Sequence, residues 1–193
     1  MLNILSTEKS DEELVKLSLE NVDNFSYLVE RYEEKLKIYI MRISLFHRAE
    51  AEEILQEVFI KVWKNLREFD GKLQFSSWIY RITRNHTISS FRKYQSRGHD
   101  KSISIDNSIF EIKSNDLDII EELDNKEKAK LIQKALQELN KEYRAVLILK
   151  YFEDKSYPEI SDILKKPEGT IATLIHRAKK QFKELISNTN ITI

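Results

Sequence analysis

Cysteine is missing from this 193-residue chain, which excludes a disulfide framework, a thiolate metal site and a thiol redox sensor within it. Glycine occurs three times and proline twice, too rarely for a turn-rich β-sandwich or a glycine-cradled nucleotide fold, whereas the abundant Leu, Ile, Lys and Glu favour helix. No apolar run of about 18 residues is present, the length a membrane span needs. Residues 1–10 carry neither the basic start nor the apolar stretch of a signal peptide, so a cytoplasmic protein is expected. The histidines, His47, His86, His99 and His176, show no metal-ligand spacing, and no phosphate-cradling loop occurs. Glu52, Glu53 and Glu57 read as a solvated helix face rather than paired catalytic acids. Neither an enzyme nor a cofactor is expected.

What is present is a strong segregation of charge. The formal net charge is zero, with 32 basic and 32 acidic residues. Residues 1–71 hold 15 acids and 10 bases, residues 72–99 six bases and no acid, residues 100–127 nine acids and three lysines, and residues 128–193 13 bases and 8 acids. Two basic blocks alternating with two acidic ones suit DNA-facing surfaces joined by a segment that must not stick to them. Solvated helix faces in random order are the plainer reading. A chain of this length makes one ordinary domain or two small ones.

Periodicity predicts helices throughout. Ser10, Asp11, Glu12 and Glu13 form a capping box ahead of Leu14 and Leu17. Phe25, Leu28, Val29, Tyr32, Leu36, Ile40 and Ile43 make one long apolar stripe, and Ile54, Leu55, Val58, Phe59, Val62 and Leu66 make another. The second stripe leaves Glu52, Glu53, Gln56, Glu57, Lys61 and Lys64 on its opposite side. A turn at residues 69–72 precedes a fourth helix, which Ser76 is expected to cap and in which Trp78, Ile79, Ile82 and Phe91 alternate with Arg81, Arg84, Asn85, Arg92 and Lys93. Beyond Lys93 the periodicity fails until about residue 125, although Ile103, Ile105, Ile109 and Phe110 suggest that part of this stretch adheres to a surface.

A second helical domain begins near Lys126, with Ile132, Ala135, Leu136 and Leu139 on one face and Asn140 placed to cap the helix carrying Val146, Leu147, Leu149 and Phe152. Ser156, Tyr157, Pro158 and Glu159 combine a capping box with proline in the first turn. A short helix to Leu164, a turn at residues 165–168 and a last helix with Ile171, Ile175 and Ala178 inward complete a helix-turn-helix over residues 156–180. Such a pair can place a helix N-terminus in the major groove, although helical hairpins that never touch DNA share the pattern. The acid-free block also sets Phe75, Trp78 and Tyr80 beside Arg81, Arg84, Arg92 and Lys93. Single strands are bound by such mixtures, bases stacking on rings while cations follow phosphates. Phe75 and Trp78 equally suit the interior, and a pocket near residues 71–75 would take an extruded base.

These residues carry a resemblance. Ala51-Glu52-Glu53-Ile54-Leu55-Gln56-Glu57-Val58-Phe59-Ile60-Lys61-Val62-Trp63, then Phe69-Asp70-Gly71, then Phe75 to Asn85, resemble the second conserved region of extracytoplasmic-function (ECF) sigma factors. Leu139 to Phe152, Ser156 to Ile160, Gly169-Thr170-Ile171 and His176-Arg177-Ala178-Lys179 resemble the fourth region. The resemblance implies an all-α chain of two small domains, a four-helix N-terminal one (residues 1–95) and a C-terminal helix-turn-helix one (126–187), with a flexible linker (96–125) and a tail (188–193). It implies a non-catalytic subunit that brings bacterial RNA polymerase core enzyme to promoters. Glu53, Gln56, Glu57 and Lys61 would dock on the polymerase clamp. The block from Lys72 to Lys93, with Phe75, Trp78, Tyr80, Arg81, Arg84, Asn85 and Arg92, would open the −10-like element and hold its single strand. Thr170, Thr173, His176 and Arg177 would read the −35-like element as duplex, with Lys179 and Lys180 toward phosphates.

The chain departs from the family pattern at Lys165, where glycine is common, and at Ala172 and Leu174, where bases are common. A lost bidentate arginine removes about 1–3 kcal/mol of base discrimination, which leaves part of the readout to DNA shape. The resemblance also implies an anti-sigma protein clamping both domains, a reading to which Ile103, Ile105 and Phe110 contribute. The alternatives are a free-standing helix-turn-helix regulator and a helical protein-interaction module.

Overall fold

A computed structural model describes residues 8–44, 47–96, 110 and 125–190. Every regular element among them is helical, and the chain divides into two compact units, Met1–Ser104 and Ile105–Ile193. The expected adhesion of Ile103, Ile105 and Ile109 lies outside the described residues.

In the first unit, α1 (Asp11–Glu20), α2 (Phe25–Ser44), α3 (Arg48–Asn65) and α4 (Phe75–Ser96) form a bundle. The capping box that starts α1 is present, Ser10 N–H donating to Glu13 at 2.8 Å and Glu13 N–H to the Ser10 hydroxyl at 3.2 Å. Helices α2, α3 and α4 pack on one another, and α1 lies against α2 and α4. Leu28, Leu36 and Ile40 from α2 meet Ile54, Val58 and Val62 from α3 and Ile79 from α4 in the interior. Each fully buried side chain of this kind contributes about 1.5–3 kcal/mol.

The start of α4 differs from the expectation of a Ser76 cap. Helix α4 begins at Phe75, with Trp78 N–H donating to the Gln74 carbonyl at 3.1 Å. The Phe75 N–H donates to the Glu12 carboxylate on α1 at 3.4 Å. An acceptor 63 residues away in sequence thus meets an orphan first-turn donor for which Ser76, already inside the helix, is wrongly placed.

In the second unit, α5 (Asn125–Glu138), α6 (Lys141–Leu147), α7 (Tyr157–Leu164) and α8 (Glu168–Asn190) surround an interior built by Ile132, Leu136, Val146, Leu149, Ile160, Ile171, Ile175 and Phe182. Asn140 caps α6 as its side chain suggests, accepting from Tyr143 N–H at 2.9 Å. Helix α6 runs on into one π-helical turn, Ile148–Phe152, in which Glu153 N–H reaches the Ile148 carbonyl at 3.0 Å. Ile148, Leu149, Tyr151 and Phe152 are all buried there. Phe110 is buried against Phe152, ring edge to face at 6.3 Å.

Candidate nucleic-acid interface

Glu53, Gln56, Glu57 and Lys61 are all exposed on α3, because the buried positions 51, 54, 55, 58 and 62 take the opposite side of the helix. This polar stripe is not a row of free side chains. The Tyr94 hydroxyl of α4 donates to Glu53 at 3.3 Å. His86, also on α4, lies between Glu57 and Lys61, with Nε2 at 2.5 Å from the Glu57 carboxylate and Nδ1 at 2.7 Å from the Lys61 ammonium. The imidazole is only 8% exposed and Glu57 is 62% exposed. Metal-ligand spacing was the wrong signal by which to find His86, since its partners sit on another helix. Ile60 and Trp63 are exposed apolar side chains of the same helix, and the Trp63 ring lies tilted against Phe25, the first residue of α2, with centroids 5.2 Å apart.

The loop between α3 and α4 turns at Gly71, whose φ of +72° belongs to the left-handed region that glycine enters without penalty. Asp70 closes the turn, accepting from Lys72 N–H at 3.0 Å and pairing with its ammonium at 3.0 Å. These hydrogen bonds hold the Asp70 carboxyl below the usual carboxylate range. Above the turn opens a cleft of about 320 Å³ lined by Glu68, Phe69, Asp70, Lys72, Leu73, Trp78 and Arg81.

The aromatic residues of this block do not stand on the surface. Phe75 is 0%, Trp78 7% and Tyr80 3% exposed. Phe69, Phe75 and Trp78 pack together at 5.5–5.6 Å, and Tyr80 lies 4.9 Å from Tyr39. The interior reading therefore holds for Phe75 and Trp78, and Tyr80, for which it was not made, is buried as well; Phe75 and Tyr80 cannot stack a base from where they lie. Trp78 belongs to the same cluster and also lines the cleft. On α4, Asn85, Arg92 and Lys93 are exposed and Arg81 and Arg84 are half-buried, as are the apolar Ile82, Ile88 and Phe91.

In the second unit the Ser156 capping box is formed, Ser156 N–H and hydroxyl both donating to Glu159, at 2.9 and 2.8 Å. Helix α7 ends at Lys165, left-handed at φ 52°, ψ 50°. A side chain there costs what glycine avoids, which gives the departure at this position a physical meaning. Ser161 and Lys166 tie the turn through two hydrogen bonds, and Lys166 pairs with Glu142 on α6 at 2.9 Å. On α8, Ile171, Ile175, Ala178, Phe182 and Ile186 are buried, which leaves Thr170, Thr173, His176, Arg177 and Lys180 exposed. The Thr173 hydroxyl donates back to the Gly169 carbonyl at 2.9 Å. Ala172, Leu174 and Lys179 are half-buried, with the Lys179 ammonium 5.9 Å above the Tyr151 ring.

Two helical units, one with a cationic helix beside a cleft and the other with a helix-turn-helix, define a bipartite DNA-binding protein. Comparison with known proteins specifies which kind. Residues 28–97 match sigma-70 region 2, and residues 129–182 match sigma-70 region 4. The chain is 32% identical over 171 residues to the ECF RNA polymerase sigma factor SigW of Bacillus subtilis, covering 84% of this chain and 88% of that one. It is 28% identical over 186 residues to the RNA polymerase sigma-H factor of Pseudomonas aeruginosa, covering 90% and 92%. Its fold matches CnrH, solved in complex with the cytosolic domain of CnrY, at a TM-score of 0.70 and 19% identity over 93% of this chain and 99% of that one. It also matches RpoE of Bartonella quintana, solved with the anti-sigma factor NepR, at 0.64 and 22% over 85% and 97%. The chain belongs to the ECF group of the sigma-70 family, the sigma factors that direct RNA polymerase to promoters. Among the described residues no helix is long and apolar enough to cross a membrane.

Proposed function

We propose that the chain divides promoter engagement between an N-terminal domain, residues 1–95, and a C-terminal domain, residues 126–187, joined by a linker at 96–125. The α3 stripe of Glu53, Gln56, Glu57 and Lys61 docks on the polymerase core enzyme. Arg81, Arg84, Asn85, Arg92 and Lys93 on α4 hold the opened −10-like strand, with Lys72 at the rim of the cleft and Trp78 in its lining. Thr170, Thr173, His176, Arg177 and Lys180 on α8 meet the −35-like duplex. Phe75 and Tyr80 support this surface from inside.

The observation that carries the reading is the cleft beside α4, where Arg81, Lys72 and Trp78 converge. A base leaving the duplex finds there an aromatic edge and the Arg81 guanidinium for its phosphates, the two elements that single-strand binding uses, while the Lys72 ammonium is already paired with Asp70. Lys179 contributes less than Lys180, since its ammonium already lies over Tyr151.

CnrH and RpoE were each solved with a bound partner, the latter an anti-sigma factor. By analogy this chain has an anti-sigma partner that covers its docking and DNA-facing surfaces. The test is transcription by core enzyme with and without the chain on fragmented genomic DNA, with sequencing of the initiated transcripts. Discrete start sites that share two spaced elements, and that vanish on Arg81→Ala with Asn85→Ala, are expected. Starts unaffected by those substitutions would overturn the assignment of α4.

A further inference from the structure

Phe110 stands 15 residues ahead of the start of α5, yet its side chain is fully buried and it belongs to the second unit. Its ring meets that of Phe152 edge to face, with centroids 6.3 Å apart. Phe152 closes the π-helical turn, in which Ile148, Leu149 and Tyr151 are buried as well. Four inward residues out of five exceed one helix face, so the turn needs cover from more than one side. Helix α8 packs along α6 and α7 against the turn, and Phe110 covers the Phe152 ring. The turn leads straight into the helix-turn-helix: the Lys155 N–H returns to the Leu149 carbonyl at 2.9 Å, and Ser156 caps α7.

We propose that Phe110 anchors the interdomain chain to the root of the helix-turn-helix and thereby determines which spacing between the two promoter elements the protein accepts. The inference rests on the two-domain promoter grip proposed above. Helix α4 ends at Ser96 and α5 starts at Asn125, 29 residues on, whereas Phe110 is only 14 residues from Ser96. At 3.6 Å per residue, 14 residues span at most roughly 50 Å and 29 residues roughly 100 Å. With Phe110 seated, the shorter stretch alone joins the domains. Residues 111–124 then begin and end on the second unit and add nothing to the reach.

Shortening the tether has two opposite effects. The local concentration of a tethered domain at its element falls with about the −3/2 power of tether length, so the anchor raises it about threefold where the span is short enough. Reach is lost in return. Each added base pair moves the elements about 3.4 Å apart, and beyond the limit of the shorter stretch both are held only if the ring leaves Phe152.

The experiment measures the affinity of core enzyme plus the full chain for a promoter found by its start site, with the native spacer and with spacers lengthened one base pair at a time. The native chain is compared with Phe110→Ala and with a ten-residue Gly-Ser insertion placed either between Lys101 and Ser102 or between Asn115 and Asp116. Phe110→Ala should bind the native spacer about threefold more weakly and lose less affinity than the native chain as the spacer grows. The insertion ahead of Phe110 should act in the same direction, about twofold, and the insertion behind it should change nothing. Both insertions keep Phe110, so their comparison decides the matter even if Phe110→Ala loosens the second unit. Equal effects of the two insertions, or parallel spacer profiles for the native chain and Phe110→Ala, would overturn the anchor and leave the two-domain grip standing. A native chain indifferent to spacer length would overturn the grip and the anchor together. The chain has no cysteine, so Glu33→Cys and Glu184→Cys, both exposed positions, take spin labels for distance measurement in the free protein. The distance distribution should broaden with Phe110→Ala and with the first insertion but not with the second, and an unchanged distribution in all three would contradict the anchor.

Discussion

The guanidinium of Arg144 closes the C-terminal end of α5, its Nε donating to the Leu136 carbonyl at 2.7 Å. Its Nη2 reaches the Gln137 and Leu139 carbonyls at 2.8 and 3.2 Å. The last carbonyls of a helix have no intrahelical donor, and one forked cation from α6 supplies three. Arg144→Ala should destabilise the second unit by about 2 kcal/mol, the scale of hydrogen bonds to a charged group. Arg144→Lys should recover little of it, because a single ammonium lacks the fork. Both tryptophans, Trp63 and Trp78, lie in the first unit. Denaturant unfolding followed by far-ultraviolet circular dichroism should therefore shift while tryptophan fluorescence does not. An unshifted circular dichroism transition would contradict this placement of Arg144.

Lys165 occupies the left-handed region at the end of α7, where a β-carbon costs about 1–2 kcal/mol. Lys165→Gly is expected to raise stability by about 1 kcal/mol in the same unfolding measurement. A lower midpoint would show that the lysine side chain holds the turn in a way the backbone does not require.

Gly169 presents the converse case. It lies within α8, its φ is not positive, and a β-carbon added there would meet no atom within 4 Å. Gly169→Ala should therefore stabilise α8 by about 0.5–1 kcal/mol. If a DNA phosphate approaches the α8 N-terminus, as helix N-termini allow, the same substitution should weaken promoter binding by the holoenzyme. Gains in both stability and promoter binding would place the DNA elsewhere.

Burial alone would raise the Glu159 carboxyl, but hydrogen bonds from Ser156 and the Lys155 ammonium outweigh it and hold the group below its ordinary range. A carboxyl with a lowered folded value stabilises the fold above its unfolded value, and that contribution is lost as pH falls through the folded value. The stability difference between the native chain and Glu159→Gln should be about 1 kcal/mol at neutral pH and shrink toward zero in acid. A difference that stays constant from neutral to acid pH would show that the charge plays no part.

What was legible in the sequence was local. Both capping boxes, the Asn140 cap and the inward stripes of α2, α3 and α8 rest on spacings of three and four residues, which the chain states directly. The features that escaped notice depend on distant partners. Glu12 at the head of α4 and His86 between Glu57 and Lys61 join residues 63, 29 and 25 positions apart, and no periodicity marks such meetings. The aromatic residues among the cations of α4 suited both the surface and the interior. Packing against Tyr32, Tyr39 and Phe69 placed Phe75 and Tyr80 inside, because burying rings gains more than exposing them in the absence of a ligand. The π turn after Leu147 was likewise hidden, since a run of apolar residues reads as helix whichever carbonyl each N–H selects.

The division of labour between α4 and α8 is tested most directly by permanganate footprinting of thymines in a promoter bound by core enzyme and this chain. With Arg81→Ala, Arg84→Ala and Asn85→Ala combined, the account predicts that the polymerase still occupies the duplex while thymines in the −10-like element lose their reactivity. With Arg177→Ala and Lys180→Ala, occupancy itself should fall, and the remaining complexes should open normally. An α4 variant that opens the promoter as fully as the native chain, or an α8 variant that binds normally but fails to open it, would contradict the account.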